Sequence, residues 1–395
     1  MKILQINSVV GIKSTGRICA DIADILRENG HDCLIAYGRE KAAEKYKDIC
    51  IRTDSTIGVK MHALQSRIFD NAGFTRKKAT KKFIEKIRQY KPDIIHLHNI
   101  HGYYINVEEL FLYLQQVDIP IVWTLHDCWA FTGHCTYPSR INCEKWRQQC
   151  FNCEQKNNYP ISKVVDASRN NYNLKKRLFT NIKNMSIITP SEWLAGFAKA
   201  SFLSKYPIEV IHNGIDTEVF VYRESDFKNK YLIANRKIVL GVASSWGKTK
   251  GLNDFILLSQ KLKKEYCIVL VGINKKQKNL LPKNIIAIEQ TNSPIELAEI
   301  YSAADVFVNL TYADNYPTVN LEAQACGTPV ITYKTGGSIE SVPASQIVEQ
   351  GDLEGVIKLI AEICEKDKYM IFERDVFDRR KTFEKYLDIY KAKMV

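Results

Sequence analysis

Long apolar runs are missing from this chain, as are low-complexity linkers and short-period repeats. Every apolar run has the length of a β-strand, whereas a membrane-spanning helix needs about 20 consecutive apolar residues. The opening segment, residues 1–7, has the pattern of a first strand and is not followed by the hydrophobic region or cleavage site of a secretory signal. We therefore expect a folded protein that stays in the cytoplasm.

A disulfide framework is also not expected, because the 11 cysteines are odd in number and no secretory signal accompanies them. Six of them are scattered and are typical of small core residues. In the remaining cluster, the spacing Cys-x7-Cys-x6-Cys-x2-Cys is compatible with a structural zinc ion in a polar loop, although only the last pair has the preferred ligand spacing. Free thiols or a redox-labile pair are the alternative. The candidate zinc ligands are Cys135, Cys143, Cys150 and Cys153.

Acidic residues are scarce in the first half of the chain. The net charge is +12, and residues 1–200 carry nearly all of it, with 30 Lys and Arg against 19 Asp and Glu. The excess is concentrated in residues 76–91, where Phe83, Ile84 and Ile87 recur at helical spacing. The charged face of this predicted helix is either solvated or attracted to an anionic membrane surface or lipid-linked phosphate, which would place the protein at the inner face of the cytoplasmic membrane. Nucleic acid is not an expected partner, because no recognised nucleic-acid module is present.

Strand-like apolar runs alternate with amphipathic segments through most of the 395 residues, and the alternation restarts after residue 213. This pattern is typical of doubly wound parallel sheets, and the length suits two domains. We therefore predict an α/β fold of two Rossmann-like domains that face each other across a cleft. The boundary is predicted within residues 208–216, where a strand ends in Asn213-Gly214 and the glycine permits a turn with positive φ.

Two glycine-containing loops are candidate phosphate-binding segments. Residues 8–17 lead into a helix, so a glycine there would let backbone amides approach a phosphate. Residues 241–252 lie between a strand and a helix, but they are not a Walker loop, because five residues separate Gly241 from Gly247 where that motif has four. The candidate residues are Gly16 and Arg17 in the first loop, and Lys248 and Lys250 in the second.

The most informative segment is residues 306–330, where an apolar strand leads to a Pro-containing turn and then to a helix of small residues. The turn carries Asp314, and Glu322 follows eight positions later, inside the helix. The turn can hold an acid against sugar hydroxyls, the first amides of the helix can bind a diphosphate, and the second acid lies within reach of a ribose. The structural alternative is a turn-starting Asp and a solvated Glu. The predicted donor-binding residues between the two acids are Asn315, Tyr316, Pro317, Thr318 and Val319.

Three histidines follow predicted strands at the edge where open α/β sheets bind ligands. His126 follows the strand at residues 121–125, and we predict a functional role for it, with a purely structural histidine as the alternative. His98 and His101 come at the end of the preceding strand.

Several of these segments resemble the retaining glycosyltransferases of family 4. The run from 311 to 330 resembles their E-x7-E signature, with Asp314 in place of the first Glu, and residues 211–220 resemble their I-x-N-G-[IV]-D-x3-F segment. Lys250-Gly251 matches the second half of their Gly-Arg-x4-Lys-Gly pattern. Ser245 stands at the Arg position, so one cation of the pattern is missing.

The resemblance implies the GT-B fold, with an acceptor domain at residues 1–212, a nucleotide-sugar donor domain at 213–377 and a final helix at 378–395 that crosses back to the first domain. It implies transfer of a sugar from a nucleoside diphosphate sugar to an acceptor hydroxyl with retention of configuration, and no catalytic cofactor or metal. Residues 123–153 further resemble a bacterial subgroup of colanic-acid and capsular polysaccharide glycosyltransferases. The expected acceptor is therefore a lipid-linked oligosaccharide in capsule, O-antigen lipopolysaccharide or exopolysaccharide assembly.

The resemblance also implies individual roles. Asp314 would position the sugar, Glu322 would hold the ribose, and His126 would support the sugar near the breaking bond. The residues that would contact the donor diphosphate are Gly16, Arg17, Lys248 and Lys250, and those that would line the acceptor side are His98 and His101.

Two alternatives from other classes stay open. A catalytically degenerate scaffold that binds a membrane or a polysaccharide would account for the Ser at position 245 and the Asp at position 314. A sugar-nucleotide epimerase or a phosphorylase would share the fold, although no lysine for pyridoxal phosphate is evident. Turnover of a sugar donor distinguishes an enzyme from a scaffold.

Overall fold

The computed structural model of the protein describes residues 1–365 and 374–394. The chain divides into two compact units, one formed by Met1–His212 together with the chain from Phe383 onward, and the other by Asn213–Thr382. Each unit has its own parallel sheet and its own hydrophobic clusters. The predicted α/β fold with two Rossmann-like sheets is therefore confirmed.

Seven parallel strands form the sheet of the first unit. They are β1 (Lys2–Ile6), β2 (Asp32–Tyr37), β3 (Cys50–Arg52), β4 (Ile94–Leu97), β5 (Ile121–Thr124), β6 (Met185–Thr189) and β7 (Ile208–Val210). Their order across the sheet is β3-β2-β1-β4-β5-β6-β7. Strands β4, β5 and β6 are buried along their whole length, which explains why they appear in the sequence as continuous apolar runs.

Six helices connect these strands. They are α1 (Lys13–Glu28), α2 (Thr56–Phe69), α3 (Lys77–Tyr90), α4 (Val107–Leu114), α5 (Ser168–Phe179) and α6 (Glu192–Lys199). Alternate side chains of β1 enter two separate clusters, Leu4 and Ile6 in one and Ile3 in the other, so the sheet has a core on each face. Between β5 and α5, the chain forms three short 3₁₀ turns at Trp129–Phe131, Pro138–Ile141 and Lys145–Arg147.

Six parallel strands form the sheet of the second unit. They are β8 (Lys237–Val242), β9 (Tyr266–Val271), β10 (Ile285–Ile288), β11 (Val306–Asn309), β12 (Val330–Tyr333) and β13 (Ile347–Val348), in the order β10-β9-β8-β11-β12-β13. The helices that begin in this unit are α7 (Phe227–Lys230), α8 (Leu252–Lys261), α9 (Lys275–Lys278), α10 (Pro294–Ala303), α11 (Thr318–Ala325), α12 (Leu353–Glu365) and α13 (Arg379–Met394).

Both sheets reverse the direction of their strand order at one point. In the first unit this switch lies between β1 and β4, and in the second it lies between β8 and β11. Open α/β sheets bind ligands beyond the carboxyl ends of the strands at such a point. The loops that follow β1 and β4 in the first unit, and β8 and β11 in the second, are therefore where the fold predicts functional side chains, and the loop after β5 lies next to the loop after β4.

Helix α13 packs into the first unit from Phe383 onward. Phe383, Tyr386 and Tyr390 are buried in the same cluster as β1 and α1. The Tyr390 hydroxyl lies 2.6 Å from His96 Nδ1, and the Tyr386 hydroxyl lies 3.0 Å from Thr124 Oγ1. Within the described ranges, no helix combines the length and the apolar character that crossing a bilayer requires.

The buried hydrogen bond of Tyr390 makes the packing of α13 testable. Tyr390→Phe leaves the buried His96 nitrogen without its hydrogen-bond partner, so we expect the free energy of unfolding to fall by about 1–3 kcal/mol. Urea unfolding followed by tryptophan fluorescence measures this change, with Tyr222→Phe as the control, because Tyr222 is 49% exposed. An equal effect of the two substitutions would contradict the described packing of α13.

Candidate functional site

In the second unit, a glycine allows the loop after β8 to pack closely against the loop after β11 at the switch point. The loop forms a 3₁₀ turn at Lys248–Lys250 and then Gly251, which has a φ of +70°. A Cβ atom at this position would lie 2.2 Å from the carbonyl oxygen of Leu310, in the loop after β11. Only glycine therefore fits here, and the close approach brings Lys250 to the neighbouring loop.

The loops after β8 and β11 are joined directly. The carbonyl oxygen of Thr249 accepts hydrogen bonds from the Tyr312 amide at 2.8 Å and from Thr311 Oγ1 at 3.2 Å. Next to these bonds, Lys250 Nζ lies 2.5 Å from Asp314 Oδ2. The structure thus brings together the cation and the carboxylate that the sequence singled out 64 positions apart.

Helix α11 begins at the end of the same loop. Its first residue, Thr318, follows Pro317, whose side chain has no group that can cap a helix. Asn320, in the first turn, accepts from Asn309 Nδ2 at 2.8 Å and donates to Ser341 Oγ at 2.9 Å. These buried bonds fix the start of the helix against β11. The amides of Thr318 and Val319 therefore lie at a helix N-terminus, where they provide partial positive charge.

Glu322 is buried and is not a solvated helix residue. It is 2% exposed, and its carboxylate accepts a hydrogen bond from the hydroxyl of Tyr301 at 3.1 Å. Asn213 Nδ2 donates to the carbonyl oxygen of Tyr316 at 2.8 Å, so the Asn-Gly segment fixes the turn before α11. The sequence analysis missed the roles of Asn213 and Tyr301. The Asn-Gly motif was an available signal, but the sequence analysis used it as a domain boundary and as part of a family segment, and assigned no contact to Asn213.

The other predicted residues of the second unit lie around this pair. Asn315 and Tyr316 are buried, and the Asn315 amide donates to Asp314 Oδ1 at 3.0 Å. Lys248 is exposed at the start of the 3₁₀ turn, and Ser245, at the position of the missing Arg, is also exposed. Lys250 is therefore the cation that the structure positions against the acidic turn.

In the first unit, a buried chain of hydrogen bonds links β1 to the loops after β4 and β5. Gln5 Nε2 donates to the Cys19 carbonyl oxygen at 3.0 Å, so Gln5 Oε1 faces His98 Nε2 at 2.9 Å. An amide oxygen only accepts, so His98 Nε2 carries the hydrogen and His98 Nδ1 is an acceptor. His126 Nε2, which lies 3.1 Å from His98 Nδ1, must then donate. This series of hydrogen bonds fixes the tautomer of His98 and orients His126.

Burial keeps these imidazoles neutral. It lowers the pKa of His126 to about 4 and that of His98 well below its usual value, and the neighbouring histidines lower the pKa of His98 further. His96, which contacts α13, has a pKa of about 3 for the same reason. His126 is therefore an uncharged group at neutral pH, so it can interact with a ligand by hydrogen bonding and not by charge.

His101 belongs to a second cluster at the same edge. Its Nε2 lies 2.9 Å from Asp127 Oδ2, and its Nδ1 lies 3.3 Å from the hydroxyl of Tyr159. Burial opposes ionisation of Asp127, but His101 and the Trp129 amide outweigh it and lower the pKa of the Asp127 carboxyl. The sequence analysis missed Gln5 and Asp127. A polar residue in the middle of β1 was the signal for Gln5.

The interpretation of Gly16 as part of a phosphate-binding loop before a helix placed it at the helix start, but α1 already begins at Lys13. Gly16 is buried in the first turns, and a Cβ there would lie 2.9 Å from Val9 Cγ2. Its missing side chain is therefore explained by packing against the preceding loop. Asn7 Nδ2 holds this loop by donating to the Val9 and Thr15 carbonyl oxygens, both at 3.0 Å. Arg17 is exposed on the following turn.

The structure does not support the candidate zinc site. Among the described residues, no three His, Cys, Asp or Glu side chains converge in a way that could hold a metal ion. Instead, the Cys135 thiol donates a hydrogen bond to Cys153, and this bond lowers the pKa of Cys153 to about 7.

The cysteine-containing loop is held by other contacts. Cys150 Sγ accepts from the Gly133 amide at 3.2 Å, and the buried Lys175 donates to the Trp129 carbonyl oxygen at 2.8 Å. Sequence spacing could not reveal this, because loop residues close in sequence need not point to one centre.

Comparison with known proteins agrees with this geometry. Residues 15–219 match the family model described as Glycosyltransferase Family 4, and residues 223–376 match the model described as Glycosyl transferases group 1. The chain is 26% identical over 270 residues to the putative colanic acid biosynthesis glycosyl transferase WcaC of Escherichia coli (strain K12), which covers 64% of this chain and 63% of that protein. It is 30% identical over 170 residues to the capsular polysaccharide biosynthesis glycosyltransferase CapM of Staphylococcus aureus, which covers 39% of this chain and 43% of that protein. The matches thus span less than two thirds of either relative.

Among solved structures, the chain resembles Anabaena Alr3699/HepE in complex with UDP, with a TM-score of 0.69 and 16% identity over 99% of this chain and 100% of that chain. The two Rossmann-like parallel sheets, together with this structural similarity, assign the chain to the GT-B class of fold. The family-model match extends over more than half of the chain. The chain belongs to glycosyltransferase family 4, and the resemblance inferred from its sequence is confirmed.

The neutral histidines predict how stability depends on pH. The pKa values of His96, His98 and His126 are lowered in the folded state, so below pH 6.5 the unfolded state binds more protons. Their contribution to stability is present above pH 6.5 and is lost as the pH falls. Between pH 7 and pH 5 we expect each histidine to reduce the free energy of unfolding by about 1–2 kcal/mol. Urea unfolding at several pH values measures this slope, and tryptophan fluorescence follows the first unit, which holds four of the five tryptophans.

A double variant, His98→Asn with His126→Asn, is the matched comparison. It removes two of these three buried histidines. The free energy of unfolding should therefore change less between pH 7 and pH 5, even if the variant is less stable overall. An unchanged slope would contradict the neutral state assigned to this pair.

Proposed function

We propose that this chain is a retaining glycosyltransferase that transfers a sugar from a nucleoside diphosphate sugar to an acceptor hydroxyl during assembly of a surface polysaccharide. The observation that carries the proposal is the Lys250–Asp314 ion pair beside the N-terminus of α11, at the switch point of the second sheet. Its setting in a family 4 chain supports a donor site.

The ion pair supports a specific way of binding the donor. A diphosphate at this edge would compete with Asp314 for Lys250, because both are anionic and Lys250 is the cation held in the loop. If Lys250 moves to the phosphates, Asp314 is released to accept hydrogen bonds from sugar hydroxyls. The α11 amides from Thr318 onward would supply further stabilisation to the leaving diphosphate. The exchange would couple binding of the nucleotide to positioning of the sugar.

Glu322 is suited to hold the ribose. A buried carboxylate that accepts a hydrogen bond from Tyr301 is fixed in position, and its oxygens have the acceptor capacity for ribose hydroxyls. Lys248, exposed at the edge of the same loop, would add a second, more mobile charge in place of the missing Arg. Asn213 would act as a positioning residue through Tyr316.

The chemical step would take place on one face of the sugar. The bond from the anomeric carbon to the diphosphate oxygen breaks, a bond from the acceptor oxygen to the same carbon forms, and the hydroxyl proton passes to the leaving diphosphate. No protein nucleophile is needed, so Asp314 orients the sugar and does not attack it. In the first unit, neutral His126, positioned by His98, would serve as a hydrogen-bonding group for the reaction. His98 and His101 would act on the acceptor side, and Arg17 on the donor side.

The names of the similar proteins suggest substrate classes. The solved structure of Alr3699/HepE contains UDP, so a UDP-sugar is the first donor to test. WcaC is named for colanic acid biosynthesis and CapM for capsular polysaccharide biosynthesis, and both names support a growing polysaccharide precursor as acceptor. We propose a lipid-linked oligosaccharide made at the inner face of the cytoplasmic membrane. The acceptor domain would correspond to residues 1–212 and the donor domain to residues 213–377.

A donor screen tests the proposal directly. UDP-, GDP-, ADP- and dTDP-sugars are compared by thermal shift, and we expect one nucleotide class to stabilise the protein, by about 2.7 kcal/mol at 100 times its Kd. Glu322→Gln should reduce this stabilisation. A sugar donor that stabilises should also be hydrolysed slowly or transferred. Binding without any turnover, even with lipid-linked acceptors, would favour the degenerate scaffold.

Substitutions of the ion pair should have opposite effects on nucleotide binding. Lys250→Gln removes a charged phosphate contact, so we expect nucleotide affinity to fall about 10- to 100-fold. Asp314→Asn removes the competitor for Lys250, so the affinity for the free nucleoside diphosphate should be unchanged or higher. Sugar transfer by Asp314→Asn should nevertheless fall about 100-fold, because the sugar is no longer held in the reactive orientation.

Isothermal titration with the nucleoside diphosphate and a transfer assay with the sugar donor measure the two effects separately. Lys276→Gln, an exposed position on the short helix α9 of the same unit, is the matched control for loss of one positive charge. A fall in nucleotide affinity with Asp314→Asn as large as that with Lys250→Gln would refute the proposed exchange.

A further inference from the structure

Helix α2 in the first unit has its polar side buried and its apolar side exposed. The residues that face the core are Gly58, His62 and Ser66, spaced four apart. His62 Nε2 accepts from the Gly73 amide at 3.1 Å, and a Cβ at Gly58 would lie 2.4 Å from Asp54 Oδ2. A surface helix normally shows the opposite arrangement, with its apolar stripe against the core.

The exposed side carries a continuous apolar stripe. Its members recur at positions i, i+4, i+7 and i+11, so at 3.6 residues per turn they share one face of the helix. The stripe consists of Ile57, Met61, Leu64 and Ile68, which are 71%, 52%, 60% and 38% exposed. Exposed apolar residues are common singly, but four on one helical face indicate an interaction surface.

A neighbouring segment extends this stripe. The Lys163 amide donates to the Arg67 carbonyl oxygen at 2.7 Å, and the Val165 amide donates to the Ile68 carbonyl oxygen at 3.0 Å. These bonds place the exposed side chains of Val164 and Val165 beside the end of α2. Two elements therefore share one apolar surface, which we call the α2 surface. It comprises Ile57, Met61, Leu64, Ile68, Val164 and Val165.

The charged side chains on α2 itself are positive, and the exposed Asp166, which follows Val165, accepts hydrogen bonds from the Cys153 and Ser168 amides. Helix α2 contains no Asp or Glu between Thr56 and Phe69, and Lys60 and Arg67 lie on the flank of the stripe. Lys163 is exposed next to Arg67. Asp54, just before the helix, is turned inward and paired with Arg76 at 2.6 Å. An apolar stripe flanked by Lys and Arg is the pattern by which helices lie in the interface of an anionic bilayer.

The basic helix α3, whose charged face the sequence analysis interpreted as either solvated or attracted to a membrane, is less suited to this role. Lys77 pairs with Glu108 at 2.6 Å, and Lys81 lies 3.6 Å from Glu109. Arg88 is paired with Glu85 on the same helix. These acids neutralise part of the positive charge of α3, and its apolar residues Phe83 and Ile87 are buried in the core.

We propose that the α2 surface binds the face of an anionic phospholipid bilayer, with the apolar stripe among the lipid chains near the headgroups and Lys60, Arg67 and Lys163 at the phosphates. Lipid, and not a protein partner, is the occupant that the cationic flank favours. The proposal is independent of the steps of sugar transfer. It rests on the proposed function in one respect: binding to the bilayer would bring the protein to a lipid-linked acceptor.

Vesicle co-sedimentation of the full chain tests the α2 surface. The probes are vesicles of phosphatidylglycerol mixed with phosphatidylcholine, and vesicles of phosphatidylcholine alone. We expect binding to the anionic vesicles that weakens with salt, and much weaker binding to the neutral ones. The variant Met61→Ser with Leu64→Ser should reduce partitioning about tenfold or more. The variant Lys60→Gln with Arg67→Gln should reduce it and also lower its salt dependence.

The matched control is Leu257→Ser with Leu280→Ser, two exposed leucines of the second unit, which should bind vesicles like the unaltered chain. Equal binding by the Met61/Leu64 variant and this control would overturn the proposal. Size-exclusion chromatography adds a second criterion, because a dimer that becomes monomeric in the Met61/Leu64 variant would show that a second copy of the chain covers this surface instead. Nucleotide binding by thermal shift should be the same in all four proteins, so failure of the membrane proposal and failure of the donor site are separately visible.

Discussion

The contact between Lys250 and Asp314 depends on the topology of the second sheet, and the rest of the candidate donor site depends on that contact. Because β8 and β11 are neighbours at the switch point, their following loops leave the sheet side by side. Gly251 allows those loops to touch, and the Thr249 carbonyl oxygen fixes their register. The pair is partly exposed, with 35% of the Lys250 side chain and 17% of the Asp314 side chain accessible. Partly exposed pairs typically contribute about 1 kcal/mol or less, so an incoming diphosphate can replace the carboxylate at small cost.

At the switch point of the first unit, the side chains that meet are neutral. Its switch point lies between β1 and β4, and Gln5 on β1 contacts His98 directly after β4. A charged imidazole would be costly in this buried position, so the side chains are ordered by a chain of hydrogen bonds and not by ion pairs. Two units of closely similar topology therefore carry different electrostatics. The second presents a cation and a helix N-terminus suited to phosphate, and the first presents oriented, uncharged imidazoles suited to hydroxyl groups, with the carboxylate of Asp127 at the same edge.

The sequence predicted those features that depend on local patterns. Continuous apolar runs predicted the buried strands, and the position of Asp314 after β11 predicted an acid at the carboxyl edge. Features that depend on which loops meet could not be predicted. Gln5, Asp127 and Tyr301 gain their roles from partners far away in sequence, and the cysteine spacing gave no information on whether four thiols point to one centre. The α2 stripe has the period of a core-facing helix, so only the structure reveals that it faces outward.

The two departures from the family pattern, Ser245 and Asp314, have a common physical consequence. A site with an Arg and a Lys can keep one cation on the diphosphate while the other contacts the acid. Here Ser245 carries no charge, so Lys250 is the cation held against the acidic turn. Asp is one methylene shorter than Glu, and its carboxylate is held close to the backbone by the Asn315 amide at 3.0 Å. A shorter acid reaches less far toward a sugar while Lys250 holds it. Release of Asp314 by the incoming diphosphate would therefore matter more in this chain than in relatives with both cations and a Glu, and sugar specificity would depend on how completely Lys250 is drawn away.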